Sequence, residues 1–401
     1  MSFLVNGPLI DKVLGGKKGI LIAALGASAA NIALGVLTWG IAEKHWKVNL
    51  VASFSLLYAV NMYFQSYGAM SIIKVKAYWF HVRERGVFGA IFGTLISMGV
   101  YFAFDWGGTI VDMTKANAGG NWLKSVFASA DANVDATWAV FYVPAVLLIF
   151  WLLLDAWLIK DAPEDAGFPH FDTCDASSGR MHVELSVLDL LKKIFASPLM
   201  LVIAGVELTS GVFRNCALTW YPSFATEVNQ PGAEFFAQHW GWFTCIFGIV
   251  GGFAGGTISD KLFLSRRGPP AALLCGLVLI LAIVMAVFLF SSPQIVGWSA
   301  VLIVMASIGI TSLMSGTAAT DFGGRKATAT CAGVVDGFAY IGSSLQSFSL
   351  GFIITLGGWQ WWPVYIIPFA VIGLLLALKI WYALPSATKK FIEEKEGLTA
   401  P

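Results

Sequence analysis

The sequence is poor in charge and in cysteine. Charged residues make up 12% of its 401 residues and hydrophobic residues 57%. Soluble domains carry about twice that charged fraction, so a water-soluble fold is excluded. The five cysteines are scattered and form no CxxC pair, which argues against a disulfide framework or a thiolate metal site. There is also no phosphate-binding P-loop and no catalytic constellation, so we expect neither an enzyme nor a metal or cofactor.

Long apolar stretches take the place of the missing charge. Each is close to the length of about 20 residues that a helix needs to cross a bilayer. The sequence therefore predicts an all-α polytopic membrane protein with about ten spans. They cover Gly19–Ala42, Val48–Ile73, Val87–Phe104, Trp138–Ile159, Pro198–Thr226, Trp240–Ile258, Ala271–Phe290, Val296–Thr320, Ala327–Leu356 and Trp361–Leu384.

The lysines and arginines lie mostly on one side of these spans. If the N-terminus is cytoplasmic, twenty of the 25 basic residues fall on the inner side and four on the outer side. Such a bias is the positive-inside pattern. We therefore expect a multi-pass protein of a bacterial inner (plasma) membrane, with both termini of the chain in the cytoplasm. The expected partners are the lipid bilayer and a small anion, with no nucleic acid, and we expect a monomer.

A hydrophilic segment divides the spans unequally. Residues 160–197 form a predicted cytoplasmic loop, which leaves an N-terminal part, 1–159, with four spans. The C-terminal part, 198–401, has six.

The span Pro198–Thr226 contains a charge near its middle, Arg214. A charged side chain at such depth is costly and usually faces a protein interior or an aqueous cavity. Glu207, Arg214 and Tyr221 are spaced by seven residues, so they share one helix face. Arg214 is either an anion-binding residue, which we favour, or the partner of Glu207 in a structural ion pair.

Two stretches of the chain repeat one pattern. Gly7–Gly19 reads GPLIDKVLGGKKG, and Gly256–Gly268 reads GTISDKLFLSRRG. Both fit a tight turn between helices, with a basic pair at the lipid headgroups. Internal duplication is how many secondary transporters are built. The predicted gating residues are Gly7, Asp11, Lys12, Lys17, Lys18, Gly256, Asp260, Lys261, Arg266 and Arg267, together with Arg83 and Arg85, whose counterparts are Arg325 and Lys326.

These motifs resemble the major facilitator superfamily. Residues 162–169, APEDAGFP, residues 220–222, WYP, and residues 337–342, GFAYIG, are similar to segments of its organophosphate:phosphate antiporters. The resemblance implies a major facilitator-type helical bundle and transport by alternating access. In that family the first motif follows helix 2, so the resemblance also implies that helix 1 and most of helix 2 are lacking. A start assigned too late, a truncated product and a genuine ten-helix protein all stay open.

Candidate substrate-binding residues come from polar helix faces and from the resemblance, and they include Glu207 and Tyr221 on the face of Arg214. Asn61 and Gln65 share a stripe with Tyr58. Asp336 begins a polar face that continues through Tyr340, Ser343, Ser344 and Ser347. An intramembrane acid is a functional candidate, although Asp336 also fits a structural pair with a basic residue. The resemblance implies that Arg214 binds phosphate and that Tyr340 contacts substrate.

The sequence thus predicts a secondary transporter that exchanges a small organophosphate, such as a sugar phosphate or glycerol phosphate, for phosphate. Two alternatives stay open. One is a membrane sensor of sugar phosphate that signals to a partner kinase. The other is a non-functional fragment.

Overall fold

The computed structural model describes residues 2–81, 85–115, 137–169, 173, 186–228, 231–384 and 389. Most of these residues are in helices. The helices are α1 Ser2–Leu9, α2 Gly15–Lys44, α3 Leu50–Trp79, α4 Arg85–Tyr101, α5 Gly107–Lys115, α6 Ala139–Leu158, α7 Val187–Ala196, α8 Pro198–Val228, α9 Ala233–Gln238, α10 Trp240–Leu262, α11 Gly268–Phe288, α12 Pro293–Leu313, α13 Ala319–Gly357 and α14 Trp361–Lys379. Single π-helical turns cover Ile10–Leu14, Phe102–Trp106 and Met314–Ala318.

The predicted all-α membrane fold is confirmed. Nine segments of the described chain are long and apolar enough to cross a bilayer. Each of the ten predicted spans falls on a long helix. The span that is not among the nine is α3, which has 30 residues but carries Asn61, Gln65 and several hydroxyl side chains.

The first described residues form a helix of their own. Phe3 and the residues around it belong to α1, which packs on α13 and α3, whereas α2 packs on α3 and α6. The chain changes direction at Gly15, whose φ of 74° is a backbone conformation that glycine adopts without strain. The tight turn predicted for the repeat at Gly7–Gly19 is therefore present.

The helices before residue 159 and those after residue 186 form two groups, here called the N-terminal group and the C-terminal group. They meet where α4 packs on α10 and α12, and where α1 and α3 pack on α13. A continuous apolar core, centred on α8, α12 and α13, fills the C-terminal group. The C-terminal side of the interface between the groups is therefore densely packed.

Helices α8 and α13 approach each other at backbone distance. A methyl group on Gly211 would overlap the carbonyl oxygen of Ala339, and one on Gly342 would overlap that of Leu208. Such small-residue contacts fix the separation and rotation of membrane helices. Residues on the facing sides of α8 and α13 are consequently held in register with each other.

The repeated motifs lie at one end of the bundle, here called the basic end and defined by Lys17, Lys18, Lys261, Arg266 and Arg267. The Asp11 side chain is fully buried there and pairs with Lys74 at 2.6 Å. It also accepts hydrogen bonds from the backbone N–H and the hydroxyl of Thr330, both at 2.7 Å. Asp11 therefore ties the N-terminal group to α13 of the C-terminal group.

Two further contacts join the groups near the basic end. Lys76 Nζ donates to the carbonyl oxygen of Gly316, and the Ser312 hydroxyl donates to that of Gly89. The bundle is closed at this end by polar contacts that cross from one group to the other.

The second motif makes its contacts inside the C-terminal group. Buried Arg267 pairs with Asp260 at 2.5 Å and with Asp321 at 3.2 Å. Desolvation opposes the charge of this guanidinium, but the two carboxylates outweigh it and raise the pKa of Arg267. Arg266 contacts the ring of Tyr382, Lys261 is exposed and Gly256 is buried. Arg83 lies outside the described residues, and only the backbone of Arg85 is described.

Candidate functional site

A cavity of about 960 Å³ lies between the two groups of helices, away from the basic end. Its N-terminal wall comes from α1 and α3, and its C-terminal wall from α8 and α13. The lining residues are Ser2, Phe3, Tyr58, Ala59, Met62, Tyr63, Arg214, Asn215, Leu218, Tyr340, Ser343, Ser344, Ser347 and Phe348. The cavity is large enough for a small organic ligand.

Arg214 is the one basic side chain among the described residues that line this cavity. Its Nη1 atom lies 3.5 Å from the hydroxyl of Thr311 on α12, at the long limit of a hydrogen bond. No carboxylate of the described residues lies within 4.0 Å of it. A guanidinium keeps its charge and presents several N–H donors in one plane, so it is suited to bind an oxyanion.

The alternative Glu207–Arg214 ion pair is therefore not formed in this structure. Glu207 is fully buried, and neither of its carboxyl oxygens has a hydrogen-bond partner among the described residues. Arg214 is still within electrostatic range of Glu207 and of buried Asp336. The two acids lie in the wall behind Arg214 and do not line the cavity.

Tyr340 lines the cavity, and a role in contacting substrate stays a prediction. The residue is 37% exposed, and its ring stacks on Phe3 with centroids 4.6 Å apart. This stack joins α13 to α1, so Tyr340 stands where the two groups meet. Ser343, Ser344 and Ser347 continue the same helix face along the cavity wall.

Besides Glu207 and Asp336, three more predicted site residues do not line the cavity. Tyr221 is fully buried, stacks on Trp240 at 4.5 Å and donates to the carbonyl oxygen of Ala233. Asn61 donates to Asn31 of α2, and Gln65 donates to Asn61. The structure thus corrects their placement: Tyr221 packs inside the C-terminal group, Asn61 contacts α2, and Gln65 bonds to Asn61 on its own helix.

The cavity wall also contains a residue that the sequence reasoning missed. Asn215 follows Arg214 directly on α8, and its side chain lies against α13. The sequence feature that could have identified Asn215 is its position as a polar residue directly after an intramembrane arginine. No cluster of three His, Cys, Asp or Glu side chains with metal-binding geometry occurs among the described residues.

Comparisons with known proteins agree with this architecture. The family model described as Major Facilitator Superfamily matches residues 1–347. The chain is 24% identical over 345 residues to "Glycerol-3-phosphate transporter" of Bacillus subtilis, which covers 84% of this chain and 72% of that relative. It is 23% identical to "Probable hexose phosphate transport protein" of Chlamydia pneumoniae, over 89% of this chain and 77% of that one.

A third relative is named as a sensor and not as a transporter. "Membrane sensor protein UhpC" of Salmonella typhimurium is 23% identical, over 88% of this chain and 74% of the relative. Among solved structures, the transporter FucP in its outward conformation superposes with a TM-score of 0.66 at 14% identity, over 94% of this chain and 86% of that one. The structural likeness supports the fold alone.

These findings confirm the resemblance to the major facilitator superfamily drawn from the motifs, and the relatives named for glycerol 3-phosphate and hexose phosphate are consistent with its organophosphate:phosphate antiporter branch. The relatives are transport or sensor proteins and not enzymes. With the family model matching most of its length, this multi-pass membrane protein belongs to the Major Facilitator Superfamily.

Proposed function

We propose that this protein transports a small organophosphate, in exchange for inorganic phosphate, across a bacterial inner membrane. The observation that carries the proposal is Arg214, a cavity-lining guanidinium with no carboxylate partner within 4.0 Å among the described residues. A phosphate group supplies the negative charge that this site lacks. The relatives named for glycerol 3-phosphate and hexose phosphate transport support the choice of an organic phosphate.

The contacts between the groups support alternating access. The cavity lies at the interface, and the basic end is closed by Asp11, Lys76 and Ser312. Breaking these contacts and forming others at the opposite end would expose the same cavity to the other side of the membrane. With the basic end in the cytoplasm, as the positive-inside pattern favours, this arrangement corresponds to a carrier closed on its cytoplasmic side.

The test compares Arg214→Lys, Arg214→Ala and a control, Arg266→Lys, in purified protein. Phosphate and glycerol 3-phosphate binding are measured by calorimetry, and thermal stability is measured separately. We expect both Arg214 variants to be stable and to lose at least tenfold in affinity, because lysine keeps the charge but not the planar pair of donors. Arg266 lies outside the cavity beside Tyr382, so its variant should bind normally.

The competing structural role has its own signature. If Arg214 and Glu207 were partners in folding, each single glutamine substitution would destabilise the protein, and the double substitution would restore it. Rescue by the double substitution with binding intact would contradict the proposal.

The second candidate function is sensing, which the relative named as a membrane sensor favours. Uptake of radiolabelled phosphate ester into phosphate-loaded proteoliposomes separates the two. Exchange dependent on internal phosphate supports transport, whereas binding without exchange supports a sensor.

A further inference from the structure

Next to Arg214, the wall of the cavity holds a hydrogen-bonded group of neutral side chains, Asn215, Gln346 and Ser347. Asn215 Nδ2 donates to Gln346 Oε1 and, at 2.7 Å, to the Ser347 hydroxyl. Gln346 is fully buried, and within the described part of the chain its own Nε2 has no hydrogen-bond partner. Asn215 and Ser347 line the cavity.

This arrangement determines which atom Asn215 offers to a ligand. An amide side chain has two N–H donors and one carbonyl acceptor. Asn215 Nδ2 donates to the Gln346 and Ser347 side chains and lies 3.5 Å from the carbonyl oxygen of Ser343, all on α13, and no described residue donates to its Oδ1 atom. The backbone contact of Gly342 with Leu208 holds α13 against α8, so the amide is fixed by packing as well as by hydrogen bonds. The cavity therefore has a preoriented acceptor one residue from its cationic group.

We propose that Asn215 Oδ1 accepts a hydrogen bond from a hydroxyl on the carbon chain of the substrate, which makes this site selective for hydroxylated phosphate esters. The inference rests on the proposed function, since it takes the phosphate group to be bound at Arg214. Gln346 and Ser347 are positioning residues that hold the amide in this orientation. An acceptor at this place favours a hydroxyl and disfavours a second anionic group.

Three ligands separate the two parts of the site. Inorganic phosphate engages the cation alone, propyl phosphate adds a carbon chain, and glycerol 3-phosphate adds hydroxyl groups to that chain. One hydrogen bond of this kind is worth up to about tenfold in affinity. We expect the wild-type protein to bind glycerol 3-phosphate several-fold to tenfold more tightly than propyl phosphate.

The test measures the dissociation constants of all three ligands for the wild type and for Asn215→Ala, Gln346→Ala and Asn31→Ala. Asn215→Ala should abolish the preference for glycerol 3-phosphate over propyl phosphate and leave phosphate binding unchanged. Gln346→Ala should reduce the preference without abolishing it, because the amide then keeps only Ser347 of its two side-chain partners. Asn31→Ala removes an amide that contacts α3 and not the cavity, and it should keep the full preference.

The possible failures are distinct. If Asn215→Ala keeps the wild-type preference while phosphate still binds, the hydroxyl subsite is refuted and the anion site stands. An equal loss for all three ligands would likewise refute the subsite, since it would show a general effect on the cavity. If the wild type binds none of the three ligands, the proposed function itself fails.

Discussion

Neutralising Asp11 should open the basic end of the bundle. The side chain of Asp11 is fully buried, pairs with Lys74 within the N-terminal group and accepts two hydrogen bonds from Thr330 of the C-terminal group. A third, longer hydrogen bond comes from the backbone N–H of Ala329 at 3.3 Å. In Asp11→Asn the shape and one acceptor remain, but the charge that attracts Lys74 and these N–H groups is lost.

The size of the effect follows from the hydrogen bonds that cross between the groups. Loss of the Asp11 charge removes the ion pair with Lys74 in the open and in the closed conformation, which lowers stability by about 3 kcal/mol but does not by itself favour opening, because both residues lie in one group. A hydrogen bond to a charged group is worth about 1.5–3 kcal/mol. The amide oxygen of asparagine still accepts one of the two short bonds from Thr330, so the closed state loses about one such bond and the opening equilibrium shifts by roughly 10- to 100-fold.

The assay is a distance measurement between spin labels at Lys18 and Lys261, which are exposed and lie in different groups at the basic end. We expect the wild type to show mainly the short distance and Asp11→Asn to show a large population at a longer one. The control is Asp161→Asn, because Asp161 accepts from the backbone N–H of Lys17 at 2.6 Å and contacts no helix of the other group through this bond.

An unchanged distance distribution in Asp11→Asn, together with a fall in thermal stability of the expected size, would refute this reasoning. That result would show that Asp11 stabilises the fold in every conformation and does not act on the closure of the basic end.

Two further predictions concern orientation and packing. The first uses a background without the five cysteines. A cysteine at Lys44 should react with an impermeant thiol reagent added to intact cells, whereas one at Lys18, about 39 Å away along α2, should not. The reverse pattern would invert the proposed orientation. Gly342→Ala should lower thermal stability and weaken phosphate binding, because its methyl overlaps the carbonyl oxygen of Leu208 and separates α8 from α13 by overpacking worth about 1–3 kcal/mol. Gly276→Ala has no atom within 4 Å of the new methyl and should be neutral in both measurements, so an equal effect of the two substitutions would exclude the packing explanation.

The fold was predictable because a bilayer restricts what a chain can do. Spanning segments must be helical and apolar, since no water satisfies their backbone groups. The same restriction made Arg214 a candidate. A charge inside a span is energetically costly unless it has polar surroundings, so Arg214 was expected to lie at a cavity or in a protein interior. The polar face from Tyr340 to Ser347 was also predicted, and the structure places it along the cavity wall.

The sequence reasoning misplaced Tyr221 and Asn61, because their positions depend on which neighbouring helix packs against each of them. Spacing by seven residues puts Tyr221 on the same face of α8 as Arg214, two turns further along the helix. The spacing does not show which neighbouring helix packs against that part of the face. There α8 meets Trp240 of α10, and the tyrosine becomes part of an aromatic core. Likewise Asn61 points at Asn31, a contact between α3 and α2 that hydropathy does not encode.

Asn215 was missed for the opposite reason. It lies about 100° around the helix from Arg214, so a search along the arginine's face passes over it. Its partners Gln346 and Ser347 lie more than 130 residues away in sequence. Only the packing of α8 on α13 brings the three side chains together.

The two walls of the cavity differ in what they offer a ligand, and this difference constrains any transport cycle. The wall on α8 and α13 carries the cation, the amide acceptor and the serine hydroxyls, and its helices are in backbone contact at Gly211 and Gly342. The wall on α1 and α3 offers mainly aromatic and apolar surface, including Phe3 and Tyr58. Because polar recognition lies on one rigid wall, relative motion of the groups changes access to the ligand without requiring Arg214 and Asn215 to separate. The Phe3–Tyr340 stack joins the two walls directly, so relative motion of the groups must change the distance or angle between these two rings.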